Sequence, residues 1–174
     1  MRDLSAGVTI WFTGLPSSGK TTLAHALAKR LADEGYDRVE VLDGDLAREH
    51  LTKGLGFSRE DRAENVRRIG WVASLLARNG VIVLASVISP YRDDRDAVRE
   101  MHGERFVEVH VATPLEDCVE RDSAGLYASA ARAALPGVGV EYEAPPAAEV
   151  TAAGGKDFAA ADRVVALVEK EQRP

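Results

Sequence analysis

A glycine-rich segment near the N-terminus has the residue types that bind phosphate. Residues 14–21 read Gly-Leu-Pro-Ser-Ser-Gly-Lys-Thr and match GxxxxGK[ST], after an apolar run and before an Ala/Leu-rich stretch. Its glycines let backbone N–H groups approach phosphate oxygens, Lys20 can reach the β and γ phosphates, and the Thr21 hydroxyl can ligate Mg²⁺. An accidental glycine-rich turn is the alternative, which the complete spacing disfavours. The predicted ATP-binding residues are Gly14, Leu15, Pro16, Ser17, Ser18, Gly19, Lys20, Thr21 and Thr22.

Two aspartates directly follow the second apolar run. Asp45 is the predicted catalytic carboxylate, because a carboxylate at that edge can orient an acceptor hydroxyl and take its proton during attack on the γ phosphate. Lys20 is the second predicted catalytic residue. Asp43 can help to hold the metal's water shell or the substrate loop. Capping of the following helix is an alternative for both aspartates, and it is compatible with catalysis.

Basic side chains are concentrated after the aspartate pair, although the chain as a whole is acidic. The donors in this cluster are Arg48, Arg62, Asn65, Arg67 and Arg68. Such a cluster predicts an anionic acceptor. For any single arginine, a solvated position or a surface ion pair is an equally good explanation.

These residues require a framework of alternating strands and helices. Apolar, β-branched runs predict strands at residues 8–13, 38–42, 81–87 and 105–111, and helical spacing predicts helices at 21–34, 59–78 and 157–172. The alternation predicts an α/β fold of the P-loop NTPase kind, with three α/β/α layers around a mainly parallel sheet. We expect one domain over residues 1–174 with a lid at about 122–155, for which a plain surface loop is the alternative.

Composition excludes several other functions. The net charge of −6 argues against binding of duplex nucleic acid, and a single cysteine, Cys118, allows no internal disulfide. Residues 1–7 lack the features of a secretory signal, and no window is apolar enough to span a membrane. A cytoplasmic enzyme without a membrane partner is therefore expected. The Asn-Lys-x-Asp motif of GTPases is also missing, which favours a small-molecule kinase.

Three longer segments resemble the adenylyl-sulfate kinase family. They are residues 43–48 (DGDLAR), 54–70 (GLGFSREDRAENVRRIG) and 86–92 (SVISPYR), and the likeness extends from about residue 10 to about residue 127. The resemblance implies ATP-dependent phosphorylation of the 3'-hydroxyl of adenosine 5'-phosphosulfate, giving 3'-phosphoadenosine 5'-phosphosulfate and ADP. It also implies that a homodimer is the expected assembly.

The resemblance assigns further site residues. Ser89 corresponds to a serine near phosphoryl transfer and is the third predicted catalytic residue, although a turn-forming serine before proline is an open alternative. Arg121 would pack against the adenine of ATP. The residues implied to bind the sulfate nucleotide are Asp43, Arg48, Phe57, Arg62, Asn65, Ile88, Ser89 and Leu126.

The predicted lid departs from the family's pattern. Ala124 replaces the usual lysine, Ala128 begins a stretch that lacks basic residues, and Val138 stands where an aromatic is expected. These changes leave two alternatives open. The chain could be a related kinase for another small hydroxylated substrate in a specialised pathway, or a non-catalytic nucleotide-binding regulatory subunit.

Overall fold

Five short parallel strands form the central sheet of the computed structural model, which describes residues 7–171. The strands lie in the order β2-β3-β1-β4-β5. Their bounds are β1 (Thr9–Thr13), β2 (Val39–Asp43), β3 (Ile82–Ser86), β4 (Phe106–Val111) and β5 (Val150–Ala152). The four strands predicted from the sequence are present, and the predicted mainly parallel α/β fold is confirmed.

Helices connect the strands. They are α1 (Lys20–Asp33), α2 (Gly44–Glu49), α3 (Arg59–Arg78), α4 (Arg92–His102), α5 (Leu115–Glu120) and α6 (Phe158–Glu171), with a 3₁₀ helix at Ala130–Ala134. The predicted end of the last helix at residue 172 lies outside the described residues, as do residues 1–6. Within the described residues, no helix has the length and apolar character needed to cross a membrane.

Each face of the sheet carries its own apolar core. Successive residues of β1 point to opposite faces, so Ile10 and Phe12 pack with α1 and α6, whereas Trp11 packs with α3 and α4. Leu23 and Leu27 of α1 are fully buried in the first core. The two cores produce the expected three layers.

The irregular region is shorter than predicted. Residues 150–152, which the sequence placed in the lid, pair in parallel with β4 and form β5. A strand of three residues is too short to show an alternating pattern, and the sequence around it is rich in Ala, Gly and Pro. The rest of the predicted lid before β5, residues 122–149, contains the 3₁₀ helix and otherwise turns and loops, and we call it the lid segment; residues 153–155 belong to the loop before α6.

Candidate active site

The phosphate loop joins the end of β1 to the start of α1. Ser17 and Gly19 both have positive φ values, 60° and 96°, which curl the backbone around the helix start. A Cβ at Gly19 would lie 2.7 Å from the Cα of Gly155, and a Cβ at Gly14 would lie 2.6 Å from the carbonyl oxygen of Val111. Glycine is therefore required at both positions by close backbone packing, in addition to any contact with phosphate.

Lys20 is buried at the base of this loop. Its ammonium group donates to the carbonyl oxygens of Gly14 at 3.0 Å and Leu15 at 2.7 Å. Burial lowers the pKa of Lys20 to about 8, and the nearby carboxylates of Asp45 and Asp43 act in the opposite direction. The ammonium group remains mostly protonated at neutral pH, as binding of a phosphate anion requires.

Asp43 connects the start of α1, at the phosphate loop, to the start of α2. Its Oδ2 accepts a hydrogen bond from the Thr21 hydroxyl at 2.8 Å, and its Oδ1 caps α2 by accepting from the backbone N–H of Asp45 at 2.9 Å. The capping role considered from the sequence is thus confirmed for Asp43. A hydroxyl beside a carboxylate also supplies the hard oxygen ligands that suit Mg²⁺.

Asp45 has a different environment. It lies in the first turn of α2, its side chain is exposed, and it lines the same cavity as Lys20. Its carboxylate is close enough to act electrostatically on both Lys20 and Arg48. The carboxylate therefore lies near both the phosphate loop and the basic cluster.

Phe57 lines the cavity together with two arginines that contact its ring. Its side chain is 60% exposed, with the guanidinium carbons of Arg48 and Arg62 at 4.5 and 5.3 Å from the ring centroid. Arg48 also donates to the carbonyl oxygen of Gly56 at 3.1 Å, and Arg62 donates to that of Phe57 at 2.9 Å. Both guanidinium groups contact the ring, and most of its surface stays accessible to a planar ligand.

The basic cluster is smaller than the sequence indicated. Arg67 and Arg68 both bond to Glu64, at 2.7 and 2.6 Å, and neither lines the cavity. The ion-pair explanation is correct for these two arginines, because the three side chains share the outer face of α3. Asn65 points inward, and its Oδ1 accepts from the Thr52 hydroxyl at 2.7 Å.

Ser89 lines the cavity, but its hydroxyl is engaged in the protein interior. Trp11 Nε1 donates to this oxygen at 3.0 Å, and the hydroxyl in turn donates to the carbonyl oxygen of Val87 at 3.2 Å. These bonds favour the turn-forming role over direct participation. The catalytic assignment of Ser89 stays a prediction.

The lid segment contacts both halves of the site. Tyr127 donates its hydroxyl to the carbonyl oxygen of Pro16 at 2.8 Å, and burial raises the pKa of this phenol to about 12. Arg62 donates to the carbonyl oxygen of Ala134 at 2.6 Å. Ala124 lies in the cavity wall, where it contributes no charge. The lid segment is thus hydrogen-bonded both to the phosphate loop, through Tyr127, and to α3, through Arg62.

One cavity of about 1170 Å³ at the carboxyl edge of the sheet brings most predicted site residues together. The predicted site residues that line it are Pro16, Ser17, Gly19, Lys20, Thr21, Thr22, Asp43, Asp45, Arg48, Phe57, Arg62, Asn65, Ile88, Ser89, Arg121 and Leu126. Gly14, Leu15 and Ser18 do not line it and instead shape the loop from behind. The volume is large enough for two ligands side by side.

Comparison with known proteins identifies the family. The sequence model of the family described as adenylylsulphate kinase matches residues 6–153. The chain belongs to this family. An adenylyl-sulfate kinase of Picosynechococcus is 56% identical over 147 residues, which cover 83% of this chain and 82% of that protein. The corresponding protein of Rippkaea orientalis is 58% identical over 142 residues, covering 80% of this chain and 77% of that protein.

Solved adenylylsulphate kinases share the fold as well. The APS kinase of Mycobacterium tuberculosis, solved in complex with AMPPNP and APS, is 39% identical with a TM-score of 0.85, covering 94% of this chain and 98% of that one. That structure therefore holds AMPPNP and APS in one kinase.

One wall of the cavity was not predicted from the sequence. The loop between β5 and α6 contributes Gly154, Gly155 and Lys156. Asp157 closes it by accepting from the backbone N–H of Ala153 at 2.9 Å. A Cβ on Gly154 would lie 3.3 Å from Oγ1 of Thr113 and 3.4 Å from Nη1 of Arg121, so the loop lies directly beside this arginine. A Gly-Gly pair just before a helix-capping aspartate is the sequence signal that could have revealed the loop.

Proposed function

We propose that this chain transfers the γ-phosphoryl group of ATP to the 3'-hydroxyl of adenosine 5'-phosphosulfate, giving 3'-phosphoadenosine 5'-phosphosulfate and ADP. The observation that carries the proposal is that one cavity has the phosphate loop on one wall and Phe57, with Arg48 and Arg62, on the other. Asp45 lies between them. Relatives that are more than half identical to this chain over most of its length are named adenylyl-sulfate kinase.

The phosphate-loop side fits the requirements of the donor. The start of α1 and Lys20 line the cavity, where backbone N–H groups and the ammonium group would bind the β and γ phosphates. Arg121 and the loop at residues 153–157 form the wall beyond the phosphate loop, where a flat base could lie against the guanidinium. We propose that the adenine of ATP occupies this end.

The Phe57 side fits an anionic nucleotide acceptor. The accessible part of the ring provides a stacking surface, and Arg48, Arg62 and the Asn65 amide provide donors around it. Burial lowers the pKa of both arginines, yet a guanidinium stays charged throughout the physiological range. The sulfate and phosphate of the acceptor would contact these donors, and the ribose would then face Asp45.

Phosphoryl transfer requires a base and a neutralised phosphate. We propose that Asp45 accepts the proton of the 3'-hydroxyl as that oxygen attacks the γ phosphorus, while the bond from phosphorus to the β–γ bridging oxygen breaks. Lys20 stabilises the charge that develops on the phosphate oxygens. Thr21 and Asp43 would hold Mg²⁺, which supplies further neutralisation of the phosphates when bound.

Product identification tests the proposal directly. The purified protein, MgATP and adenosine 5'-phosphosulfate should yield equal amounts of ADP and the 3'-phosphorylated sulfate nucleotide, resolved by chromatography and mass spectrometry. A panel of other hydroxylated compounds serves as the comparison. Efficient turnover of one of those compounds without turnover of the sulfate nucleotide would contradict the proposed acceptor, and ATP binding without any turnover would contradict the proposed enzyme.

The proposal includes a homodimer acting in the cytoplasm, where ATP is supplied. An APS kinase from Thiobacillus denitrificans is described as hexameric; it is 37% identical with a TM-score of 0.70, and the match covers 96% of this chain and 29% of that one. Light scattering on the eluting protein measures the mass of the assembly. A mass of one chain at micromolar concentration would contradict the homodimer.

A further inference from the structure

The turn at residues 88–90 (Ile-Ser-Pro), here called the 88–90 turn, forms part of the cavity wall and is bonded from behind at all three carbonyls. The first carbonyl accepts from the Thr13 hydroxyl at 2.7 Å, the second from Arg95 Nη1 at 2.7 Å, and the third from the backbone N–H of Glu143 at 2.8 Å. The turn follows β3, between the strand that ends at Asp43 and the strand that leads into the phosphate loop. Its position therefore affects the region where donor and acceptor meet.

Arg95 is the central member of this arrangement. It is only 2% exposed, and its guanidinium has three different acceptors. Nε donates to Glu108 at 2.9 Å, Nη1 donates to the carbonyl oxygen of Ser89 at 2.7 Å, and Nη2 donates to that of Glu143 at 2.6 Å. The planar fork of an arginine can serve these divergent acceptors together, whereas the single ammonium of a lysine cannot reach all of them.

The backbone of the 88–90 turn needs such support. Ser89 has a φ of 43°, in the left-handed region that a side chain other than glycine rarely adopts. A conformation of this kind persists only where surrounding contacts impose it, and it occurs often at functional sites. Here the contacts come from Arg95, from Thr13 and from Trp11, whose indole N–H bonds to the Ser89 hydroxyl.

We propose that Arg95 is a positioning residue for the acceptor: it holds the 88–90 turn in its left-handed form and joins it to the lid segment at Glu143. This inference rests on the proposed function for its kinetic consequence, since the acceptor is the ligand expected to lie against this turn. Arg95 does not line the cavity, so its effect on the acceptor is indirect.

Arg99 provides a matched control. It lies one helical turn further along α4 and bonds to the same Glu108, at 3.3 Å, and to Glu149 at 2.6 Å. Both acceptors are carboxylates, Glu108 in β4 and Glu149 just before β5, and no described bond joins Arg99 to the 88–90 turn. Arg99→Gln therefore removes ion pairs of the same network without releasing the turn.

The kinetic experiment compares Arg95→Lys with Arg99→Gln in the full chain. For Arg95→Lys we expect the KM for adenosine 5'-phosphosulfate to rise on the order of tenfold, with kcat changed less than about threefold. The Kd for AMPPNP should stay within about twofold of the wild-type value, because the phosphate loop is intact. Arg99→Gln should leave all three constants near wild type. If Arg95→Lys does not fold, Arg95→Met combined with Glu108→Gln removes both buried charges together.

A second measurement reports the turn without any acceptor. The chain has two tryptophans, Trp11 and Trp71. Trp71 is exposed and lies outside the cavity, so Trp71→Phe leaves Trp11 as the sole reporter of the Ser89 contact. In this background, Arg95→Lys should shift the Trp11 emission to longer wavelength and increase its quenching by acrylamide, whereas Arg99→Gln should change neither.

The outcomes separate the two proposals. Unchanged KM and unchanged Trp11 emission in a folded Arg95→Lys variant would overturn the positioning role, and so would equal changes in the Arg99→Gln variant. Absence of turnover in the wild-type protein would instead overturn the proposed function. The Trp11 measurement would then still decide whether Arg95 holds the turn.

Discussion

The Thr21 hydroxyl lies 2.8 Å from Oδ2 of Asp43, which links the phosphate loop to the end of β2. The two residues are 22 positions apart. In the sheet, β3 separates β2, which ends at Asp43, from β1, which precedes the phosphate loop. The same aspartate caps α2 through its other oxygen, so it fixes the helix that carries Asp45. One carboxylate thus sets the position of a proposed metal ligand relative to the proposed base.

Asp43→Asn should separate the metal role of this residue from its capping role. Asparagine caps helices as well as aspartate does, so the free energy of unfolding should change by less than about 0.5 kcal/mol. The Mg²⁺ concentration for half-maximal ADP release should rise about tenfold or more, because an amide is a weaker ligand than a carboxylate. Asp43→Ala is the control and should lose about 1 kcal/mol of stability as well. An unchanged Mg²⁺ requirement in Asp43→Asn would exclude a role at the metal.

Asp45→Asn should remove catalysis and leave nucleotide binding. Loss of a general base lowers kcat by about 10²- to 10⁴-fold, whereas the Kd for AMPPNP, measured by calorimetry, should change by less than about threefold. Glu49→Gln removes another exposed carboxylate of α2 and should retain full activity. Wild-type kcat in Asp45→Asn would show that another group accepts the proton.

The affinity for AMPPNP should fall as pH rises through the pKa of Lys20. That pKa is about 8 in the free protein, because burial favours the neutral amine. Bound phosphates favour the ammonium form, so binding takes up a proton above pH 8, and affinity should drop on the order of tenfold between pH 7.5 and 9.5. Calorimetry in two buffers of different ionisation enthalpy measures the proton uptake. Lys20→Met should bind weakly at every pH, and no proton uptake in the wild type at pH 8.5 would contradict the prediction.

The same pKa affects the stability of the free protein. The folded-state value of about 8 is below the ordinary value of 10.5, so the unfolded state binds more protons between these limits. The contribution of Lys20 therefore disfavours folding below pH 8 and is relieved as pH rises toward 10.5. Denaturant unfolding of the wild type and of Lys20→Met should show a difference in stability that varies with pH in this direction. A difference that stays constant from pH 7 to 10 would mean that the pKa is not lowered.

Phe57→Ala should weaken acceptor binding with little effect on stability. The ring is 60% exposed, so its removal should change the free energy of unfolding by less than about 0.5 kcal/mol. Loss of stacking should raise the KM for adenosine 5'-phosphosulfate about five- to tenfold. Trp71→Ala, which removes an aromatic of 54% exposure outside the cavity, is the control and should leave KM unchanged. An unchanged KM in Phe57→Ala would exclude stacking on this ring.

The sequence by itself determined the features whose physical cause is local. The phosphate loop is a continuous segment between an apolar strand and a helix, and Asp43 and Asp45 stand at the end of one strand and the start of the next helix, so motif and periodicity were sufficient to predict them. The motif did not show that Gly14 and Gly19 are also required by Val111 and Gly155, which are distant in the sequence.

Only the tertiary structure decided the features that depend on distant partners. Arg67 and Arg68 resemble Arg62 in the sequence, but the position of Glu64 on α3 turns them away from the cavity. β5 is too short for its periodicity to be recognised, and pairing with β4 makes it a strand. Arg95 is one of several arginines on α4, and its role depends on acceptors 6, 13 and 48 positions away. Helical and strand periodicity describe one element at a time, whereas contacts between elements form only when the sheet is assembled.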